Sequence, residues 1–492
     1  MVNRPLFTPV LCAALAAASG FYIFSSLPLL LNAAVLFVLL ASVCFLRVIS
    51  SLYSRSRPWR LAVIYSVVTA IGVCLGICAA DAGRNDVRFG VPQEKITAIS
   101  GVLLEDPRII SQGRAMAVLS LTSCLSSKGA RVSSSGVITV FFPQDNALRL
   151  REFGRGTAVF SEGRLRHLES GWVYSADSMH IVKKAAAVER MRTGVRLNLI
   201  SRFEGKKWGG LALSLLVGIR DSLDSNLAVL YRDTGCSHIL ALSGMHLAVI
   251  AALIAFFLKK PLGLKMSAAA GAVIICLYCF LVGPMPSLNR SAIMYLIGVI
   301  AVIGAFPRSA MPVLALSFLL QIIISPAEGN TISFTLSYAA LAGILITGQS
   351  LFGLCAGKAP DFILQPFTAS CGAFLASAGI TCFTFGVIVP MGIITGLFLV
   401  PLTTVFMIVS LAWLVLDAVS LSFILDFPLL LLYELQEKIV SAAGVIPVIA
   451  AGSGGSHFKT AAVIALSVFA SALICVLEYR RRAALLKTKP FD

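Results

Sequence analysis

The chain has 492 residues, of which 58% are hydrophobic and only 13% are charged, and its formal net charge is +17. Soluble globular proteins carry about one charged residue in four, so this composition excludes a soluble globular fold. Apolar runs of about 20 residues recur along the sequence, and each is long enough to cross a hydrocarbon core about 30 Å thick. The composition therefore predicts a polytopic α-helical membrane protein.

Three spans open the chain, at about 6–25, 27–47 and 60–80, and form a first domain at 1–80. The loop between the second and third spans is basic, and basic loops stay in the cytoplasm. The N-terminus is therefore expected inside, and the third span is expected to lead outward. The basic residues of this loop are Arg47, Arg55, Arg57 and Arg60.

The next segment, 81–186, has a sequence pattern typical of short β-strands. Alternating stretches rich in Val, Ile, Thr and aromatic residues are separated by Gly, Ser, Asn and Pro, which favours a small β-barrel. Five strands are typical of the OB-fold, so we expect an extracytoplasmic, OB-like domain inserted after the third span. The five stretches read KITAISGVLLE, RAMAVLSLTSC, GVITVFF, TAVFSEGRLRH and GWVYSADSMHIV.

Basic and aromatic residues in this domain suit a single nucleic-acid strand, because bases stack on rings while cations follow the phosphates. The alternative is that the aromatics fill the barrel core and that the arginines are ordinary surface residues. The candidate DNA-binding residues are Arg114, Phe141, Phe142, Arg149, Arg151, Arg155, Arg164, Arg166, Trp172 and Tyr174.

Beyond the barrel, 187–235 is predicted to be a basic amphipathic helical segment that lies on the membrane surface or against the bundle mouth. Residues 236–479 form the main membrane domain, and 480–492 form a basic cytoplasmic tail. The protein is expected in the cytoplasmic (inner) membrane of the cell. About twelve spans in all would leave both termini in the cytoplasm and 81–235 on the extracytoplasmic side. The remaining spans are predicted at 236–258, 267–285, 291–306, 310–326, 332–350, 361–379, 381–400, 402–421 and 458–478, with an interfacial helix within 422–457.

One predicted span carries polar groups at a depth where lipid offers no hydrogen-bond partner. In SHILALSGMHLAVI, His238 and His246 are eight residues apart, so on one continuous helix they project about 80° from each other. Ser243 and Gly244 lie between them. Polar residues inside a membrane usually face a bundle interior or a water-filled cavity. The alternative is packing, in which these groups bond across helices and Gly244 permits close approach.

Two further tracts carry similar groups. In GPMPSLNRSAIM, two prolines free backbone carbonyls, which is tolerated only inside protein or beside water. In SFTLSYAA, small hydroxyl side chains recur on alternate positions. Together with the first tract these predict one polar path between the spans. The candidate pore-lining residues are His238, Ser243, Gly244, His246, Pro286, Ser287, Arg290 and Ser337.

The three tracts resemble, in order and spacing, the competence region of the ComEC family. The resemblance implies an inner-membrane channel that passes single-stranded DNA during natural transformation. The tract G-x-x-H-x-L-A-x-S-G-x-H is matched from Gly235 to His246. The tract P-S-x-x-R-[SA]-x-x-M is matched from Pro286 to Met294, and F-x-L-S-[FY]-x-A from Phe334 to Ala340.

The chain departs from the family pattern at some points. Thr335 stands where Gln is usual, and Asn289 where a small apolar residue is common. The sequence lacks the H-x-H-x-D-H motif of the metallo-β-lactamase-like domain that ends many members, so a form without that domain is expected. The resemblance then implies separate partners besides DNA and the bilayer: a DNA receptor, a cytoplasmic helicase or motor, and a nuclease. The oligomeric state is left open.

Two other functions compete with the channel. A small-molecule or lipid permease would show inverted repeats with paired broken helices, and no convincing repeat is found. An intramembrane hydrolase would use Ser243 with His238 or His246, but no carboxylate in the spans orients either imidazole. We therefore expect no enzyme activity and no cofactor. Cys276 and Cys279 are spaced like one of the two ligand pairs of a zinc site, but no second pair accompanies them, so no metal is expected.

Overall fold

The computed structural model describes residues 9–24, 57–83, 85, 87–110, 113–144, 150, 152–168, 171–306, 309–444, 449–450 and 457–487. The predicted span at 27–47 and the candidate residues Arg149 and Arg151 lie outside these ranges. The chain divides into two compact units. A helical unit comprises 1–84, 225–275 and 286–492, and a barrel unit comprises 85–224 and 276–285.

The described helices, in chain order, are α1 Pro9–Phe24, α2 Arg57–Ala82, α3 Ala187–Phe203, α4 Gly209–Val217, α5 Ser225–Asp233, α6 Ser237–Leu240, α7 Gly244–Val282, α8 Pro286–Ile303, α9 Ala310–Ile324, α10 Pro326–Gly329, α11 Ile332–Gly343, α12 Gln349–Cys355, α13 Asp361–Phe385, α14 Met391–Asp417, α15 Phe423–Ala443 and α16 His457–Lys487. A π-helical turn, Ile344–Gly348, joins α11 to α12. The strands are β1 Ile96–Leu103, β2 Arg108–Ile109, β3 Ala115–Ser126, β4 Arg131–Ser133, β5 Val137–Phe142, β6 Ala158–Leu168, β7 Gly171–Ala176, β8 His180–Lys183, β9 Val387–Ile388 and β10 Ile449–Ala450.

The barrel unit contains a closed five-stranded barrel, as the strand pattern predicts. Strands pair in the order β1-β3-β5-β7-β6, and β6 pairs back with β1 to close the ring. All of these pairs are antiparallel except β5 with β7, where Thr139 lies opposite Val173 in a parallel ladder. Strands β2 and β4 attach to β3, and β8 attaches to β6.

Alternation along the strands separates the barrel core from its surface. In β5, Ile138, Val140 and Phe142 are buried, while the intervening residues are half-buried on the outer side. This period of two is the signature of a strand with one face in a core. The core is completed by aliphatic residues of β1, β3 and β6 and by Tyr174 of β7.

The helical unit holds most of the apolar helices. Six helical stretches in the described part of the chain are long and apolar enough to cross a membrane. They are Gly244–Val282, Pro286–Ile303, Ile332–Cys355, Asp361–Phe385, Met391–Asp417 and Ala461–Arg481, and shorter apolar helices lie at Val10–Ile23, Ser66–Ala82 and Ala310–Ile324. The chain is therefore a membrane protein, and most of it is helical.

Two predicted boundaries are wrong. The break predicted between 381–400 and 402–421 falls inside α14, and the observed break lies earlier, between Phe385 at the end of α13 and Met391 at the start of α14. Gly386 ends α13 in the left-handed region (φ 67°), and Pro401 lies inside α14. The span predicted at 236–258 is also not continuous, because α6 ends at Leu240 and α7 begins at Gly244. Two predicted spans, 236–258 and 267–285, share α7, which kinks at Gly263 (φ 73°).

Close helix packing in this unit depends on small residues. A Cβ at Gly72 or Gly76 of α2 would stand 2.3 Å from the carbonyl of Ala13 or 2.2 Å from that of Ala17, both on α1. Small residues at such contacts let helix backbones approach, which is how helices associate where lipid removes the hydrophobic driving force.

Candidate functional site

The first polar tract forms the N-terminal cap of α7. The Ser243 hydroxyl accepts a hydrogen bond from the Met245 amide at 3.3 Å, and the Ser243 amide donates to His246 Nδ1 at 3.1 Å. This reciprocal arrangement is that of a capping box, with histidine in the position that Glu or Gln usually takes. The sequence S-G-M-H thus starts a helix, a role that periodicity alone did not reveal.

The cap fixes the tautomer of His246. Because Nδ1 accepts from a backbone N–H, it carries no hydrogen, and the hydrogen of the neutral ring lies on Nε2. His246 is fully buried, and Nε2 has no hydrogen-bond partner among the described residues. A buried donor without an acceptor is rare and calls for an explanation.

Gly244 brings this helix start against α8. A Cβ at Gly244 would lie 2.8 Å from Ser291 Oγ and 3.2 Å from Arg290 Nη2. The close approach at Gly244 that the packing alternative expects is therefore present, and it is made to the second polar tract. Any larger residue at this position would press on the Arg290 side chain.

Arg290 is a buried cation held by neutral groups. Its side chain lies on α8, the residue is only 8% exposed, and Nη1 donates to the Ser337 carbonyl at 2.6 Å. The guanidinium also lies over the Tyr338 ring, 5.8 Å from its centroid. Within the described ranges Arg290 has no ion pair, and its Nε has no acceptor. Arg290 and Ser337 thus join the second tract to the third.

A connected polar network extends from Tyr338. Its hydroxyl donates to Gln321 Oε1 at 2.9 Å, and Gln321 Nε2 donates to the Pro286 carbonyl at 3.0 Å and to Glu328 at 2.6 Å. Asn289 donates to the same Glu328 carboxylate at 2.7 Å. Gln321 and Glu328 were not among the predicted site residues, although Glu328 is an acidic residue between two apolar spans.

The remaining candidates contact this cluster to different degrees. Ser287 Oγ lies 3.4 Å from Ser333 Oγ, so the second and third tracts also meet there. Pro286 contributes the carbonyl bonded by Gln321. His238 is exposed on α6, where its Nδ1 lies 3.2 Å from the Gly235 carbonyl. Because the chain leaves the helix between Leu240 and Gly244, the 80° relation expected between His238 and His246 is wrong.

On the barrel, two candidate DNA-binding residues are core residues. Phe142 is 1% and Tyr174 is 0% exposed. Burial raises the pKa of Tyr174, and the protonated hydroxyl donates to the carbonyls of Thr97 and Ser161, each at 3.1 Å. Neither ring is free to stack on a base, so their assignment to DNA contact is corrected.

Other candidates remain on the outer surface. Arg114, Arg164 and Arg166 are exposed, and Phe141 is half-buried on the outer side of β5. The register places Arg164 opposite Ser175, and Ser175 opposite Phe141, so these residues form one row across three strands. Trp172 is half-buried and packs edge-on against His167 at 4.5 Å between ring centroids.

Arg155 instead belongs to an ion-pair network inside the barrel unit. It pairs with Glu189 of α3, and Glu189 also pairs with Arg192 at 2.9 Å. Arg192 further pairs with Asp106, and Arg196 pairs with Asp106 at 3.2 Å. Burial lowers the pKa of Arg196, while the Asp106 carboxylate opposes that shift.

The same arginines reach the end of α7. Arg192 Nη1 donates to the Leu281 carbonyl at 3.2 Å, and Arg196 Nη1 donates to the Val282 carbonyl at 3.0 Å. These bonds satisfy carbonyls that the last turn of a helix leaves without partners. The network therefore ties the loop after β1 to α3 and to the C-terminal end of α7.

For metal binding, the described residues contain no group of three His, Cys, Asp or Glu side chains that could hold an ion. No three-residue ligand set is therefore available for a metal within those ranges.

Comparison with known proteins assigns the membrane domain to a family. The family model described as Competence protein matches residues 215–482, which is more than half of the chain and includes all three polar tracts. A relative, ComE operon protein 3 of Bacillus subtilis (strain 168), is 30% identical over 148 residues. That alignment covers 29% of this chain and 18% of the relative. No solved structure matches. The chain belongs to the competence protein family, the ComEC family.

Proposed function

We propose that the chain is a channel through which single-stranded DNA crosses the cytoplasmic membrane during natural transformation. The observation that carries this proposal is the contact of the three tracts: Gly244 packs on Arg290, and Arg290 bonds Ser337. All three lie within the residues that the competence family model matches. A polyanion cannot cross hydrocarbon, and hydroxyl, imidazole and guanidinium groups replace part of its hydration.

The barrel is the proposed first contact for the strand. Its ring order with one parallel pair supports an OB-like fold, and OB-folds bind single strands on exposed basic and aromatic residues. The surface row of Arg164, Ser175 and Phe141, with Arg166 in the adjacent row opposite Val173, has that character. Its two cations are exposed and carry no ion pair in the described ranges. The row is therefore the part of the barrel on which the proposal rests.

We expect the purified full chain to bind oligo(dT) with a steep salt dependence. Changing Arg164 and Arg166 together to Ala should reduce the slope of log affinity against log salt by about 1.4, since each phosphate contact contributes about 0.7. Fluorescence anisotropy across a salt series measures the slope. The matched control is the double change Lys183→Ala and Lys184→Ala, which removes two exposed cations outside the row. If the arginine variant and the lysine variant have the same slope, the strand does not bind at Arg164 and Arg166.

The orientation proposed is a cytoplasmic location for both termini and an extracytoplasmic location for 81–235. The basic clusters at 259–265 and 480–489 support it, because basic loops remain in the cytoplasm. The count of about twelve spans belongs to this proposal. Because two of the spans predicted within 361–421 are joined in α14, the proposed position of the C-terminus rests on the basic cluster at 480–489 and not on the number of spans.

Ser133→Cys should react with a membrane-impermeant maleimide in intact cells, because Ser133 is exposed on β4 of the barrel. Lys265→Cys, exposed near the kink of α7, should react only after lysis. Both changes are made in a chain whose native cysteines are replaced. The reverse pattern would overturn the orientation.

The permease alternative gains no specific observation, whereas the hydrolase alternative has one: Ser243 Oγ lies 3.1 Å from His246 Nδ1. A Ser–His hydrolase needs a group that orients the imidazole and leaves the serine hydroxyl free to attack. Here His246 Nδ1 accepts from the Ser243 amide, and the hydroxyl is engaged by the Met245 amide. We therefore propose a transport protein without enzyme activity, which works with a separate DNA receptor, a cytoplasmic motor and a nuclease.

A further inference from the structure

We propose that Arg290 and the first turn of α7 form a binding site for one phosphodiester group. This inference rests on the proposed function and names the atoms that take the strand's backbone as it passes. The site consists of the free edge of the Arg290 guanidinium, the backbone of Gly244 beside it, and the neighbouring imidazole of His246.

The guanidinium presents one unoccupied edge. Only Nη1 is bonded, to the Ser337 carbonyl, whereas Nε and Nη2 have no acceptor within the described ranges. Nε–H and Nη2–H are parallel donors in a fixed fork, which matches two oxygens of a phosphate group. Gly244 adjoins this edge, since a Cβ there would lie 3.2 Å from Nη2.

The positive charges around the site favour the binding of an anion. The N-terminal end of a helix carries about half a positive charge, and here that end adjoins a buried guanidinium. Two positive groups side by side and largely out of water repel each other unless an anion lies between them. The carboxylate of the neighbouring network, Glu328, accepts instead from the amides of Asn289 and Gln321.

A third donor belongs to the same helix turn. His246 Nε2 carries the ring hydrogen and is buried without an acceptor in the described part of the chain. Neither this donor nor Arg290 Nε is satisfied by the protein, and buried polar groups are normally satisfied. An anion bound at the start of α7 would supply the missing acceptors and the missing charge together.

The test measures binding of fluorescein-labelled oligo(dT) by the full chain in maltoside micelles, across a salt series. Arg290→Met should reduce the salt slope by about 0.7, the contribution of one phosphate contact. Arg290→Lys should keep the slope but weaken binding, because lysine keeps the charge without the fork. Gly244→Ala should weaken binding, because its Cβ would press on Ser291 Oγ and on Arg290 Nη2. Arg232→Met is the control, since Arg232 is exposed and pairs with Asp233.

The outcomes separate this site from the channel proposal. An unchanged slope in Arg290→Met, with wild-type binding intact, overturns the site and leaves the channel standing. No strand binding by the wild-type chain contradicts the proposed function itself. A phospholipid headgroup carries the same phosphodiester group and is the alternative ligand of this site. To distinguish the two, the melting temperatures of the wild-type chain and of Arg290→Met are measured with dioctanoyl phosphatidylglycerol and with oligo(dT). Stabilisation that depends on Arg290 and appears only with the lipid would overturn the assignment to the strand.

Discussion

Replacing Arg192 by leucine is expected to lower the free energy of unfolding of the barrel unit by about 3–5 kcal/mol, the usual result of removing one partner from a buried ion pair. The Arg192 side chain is 1% exposed and contacts the Asp106 and Glu189 carboxylates and the Leu281 carbonyl. Leucine would remove one of the two cations that each carboxylate contacts, leaving Glu189 with Arg155 and Asp106 with Arg196. Hydrogen exchange of the barrel amides in the full chain measures the loss.

Arg190→Leu is the matched control, because Arg190 is exposed on the same helix. An exposed substitution of this type changes stability by about 0.5 kcal/mol or less. Adding Asp106→Asn and Glu189→Gln to Arg192→Leu should not recover the loss, since Arg155 and Arg196 would then lose their carboxylate partners. If Arg192→Leu lowers the free energy of unfolding no more than Arg190→Leu does, the ion-pair network does not hold the barrel to α3.

The second large effect is expected at His246, where charge and packing can be separated. Glutamine and glutamate both fit a capping box and can accept from the Ser243 amide. His246→Gln should keep both stability and DNA uptake. His246→Glu should keep the cap but abolish uptake, because it places a carboxylate in the helix turn that packs against Arg290.

Alanine completes the series. His246→Ala loses the back-bond of the cap, and capping changes of this type cost about 1 kcal/mol. Transformation frequency, membrane abundance and melting temperature are measured together. Equal uptake by the Gln and Glu variants would mean that His246 only packs the helix start, and the anion path would then lie elsewhere.

Sequence patterns were most informative where structure is local. The five predicted barrel stretches correspond to β1, β3, β5, β6 and β7, because alternation with a period of two is set by each strand's own residues. The fifth stretch also includes β8, which the pattern did not separate. The closing pair of β1 with β6 was implied only by the strand count.

Helix ends in the membrane were harder to predict. Apolar runs indicate the length of a membrane helix but not the residue at which it ends. The predicted spans 381–400 and 402–421 therefore divided α14, and the break before Gly244 was missed. Pro401 is tolerated inside α14, whereas Gly386 ends α13 because it adopts a left-handed conformation. The cap made by Ser243 and His246 could have been found by looking for a side-chain acceptor three residues after a serine.

The residues that meet at the start of α7 were named from the sequence, but the contacts between them were not. Arg290, Ser337 and Gly244 were named from separate tracts, and they meet through contacts between helices. The role of Glu328 and Gln321 required knowing which helices neighbour each other. The same limit applies to the barrel, where Phe142 and Tyr174 were indistinguishable by composition from the surface ring of Phe141.

If the three tracts line a water-filled path for a DNA strand, water-soluble thiol reagents should reach cysteines placed along it in proteoliposomes. Ser337→Cys and Val468→Cys are compared in a chain without its native cysteines, because Val468 is exposed on the apolar helix α16. We predict that a water-soluble thiosulfonate modifies position 337 rapidly, that oligo(dT) slows this reaction, and that position 468 reacts slowly. Reaction at 337 as slow as at 468, and unchanged by oligo(dT), would contradict the account.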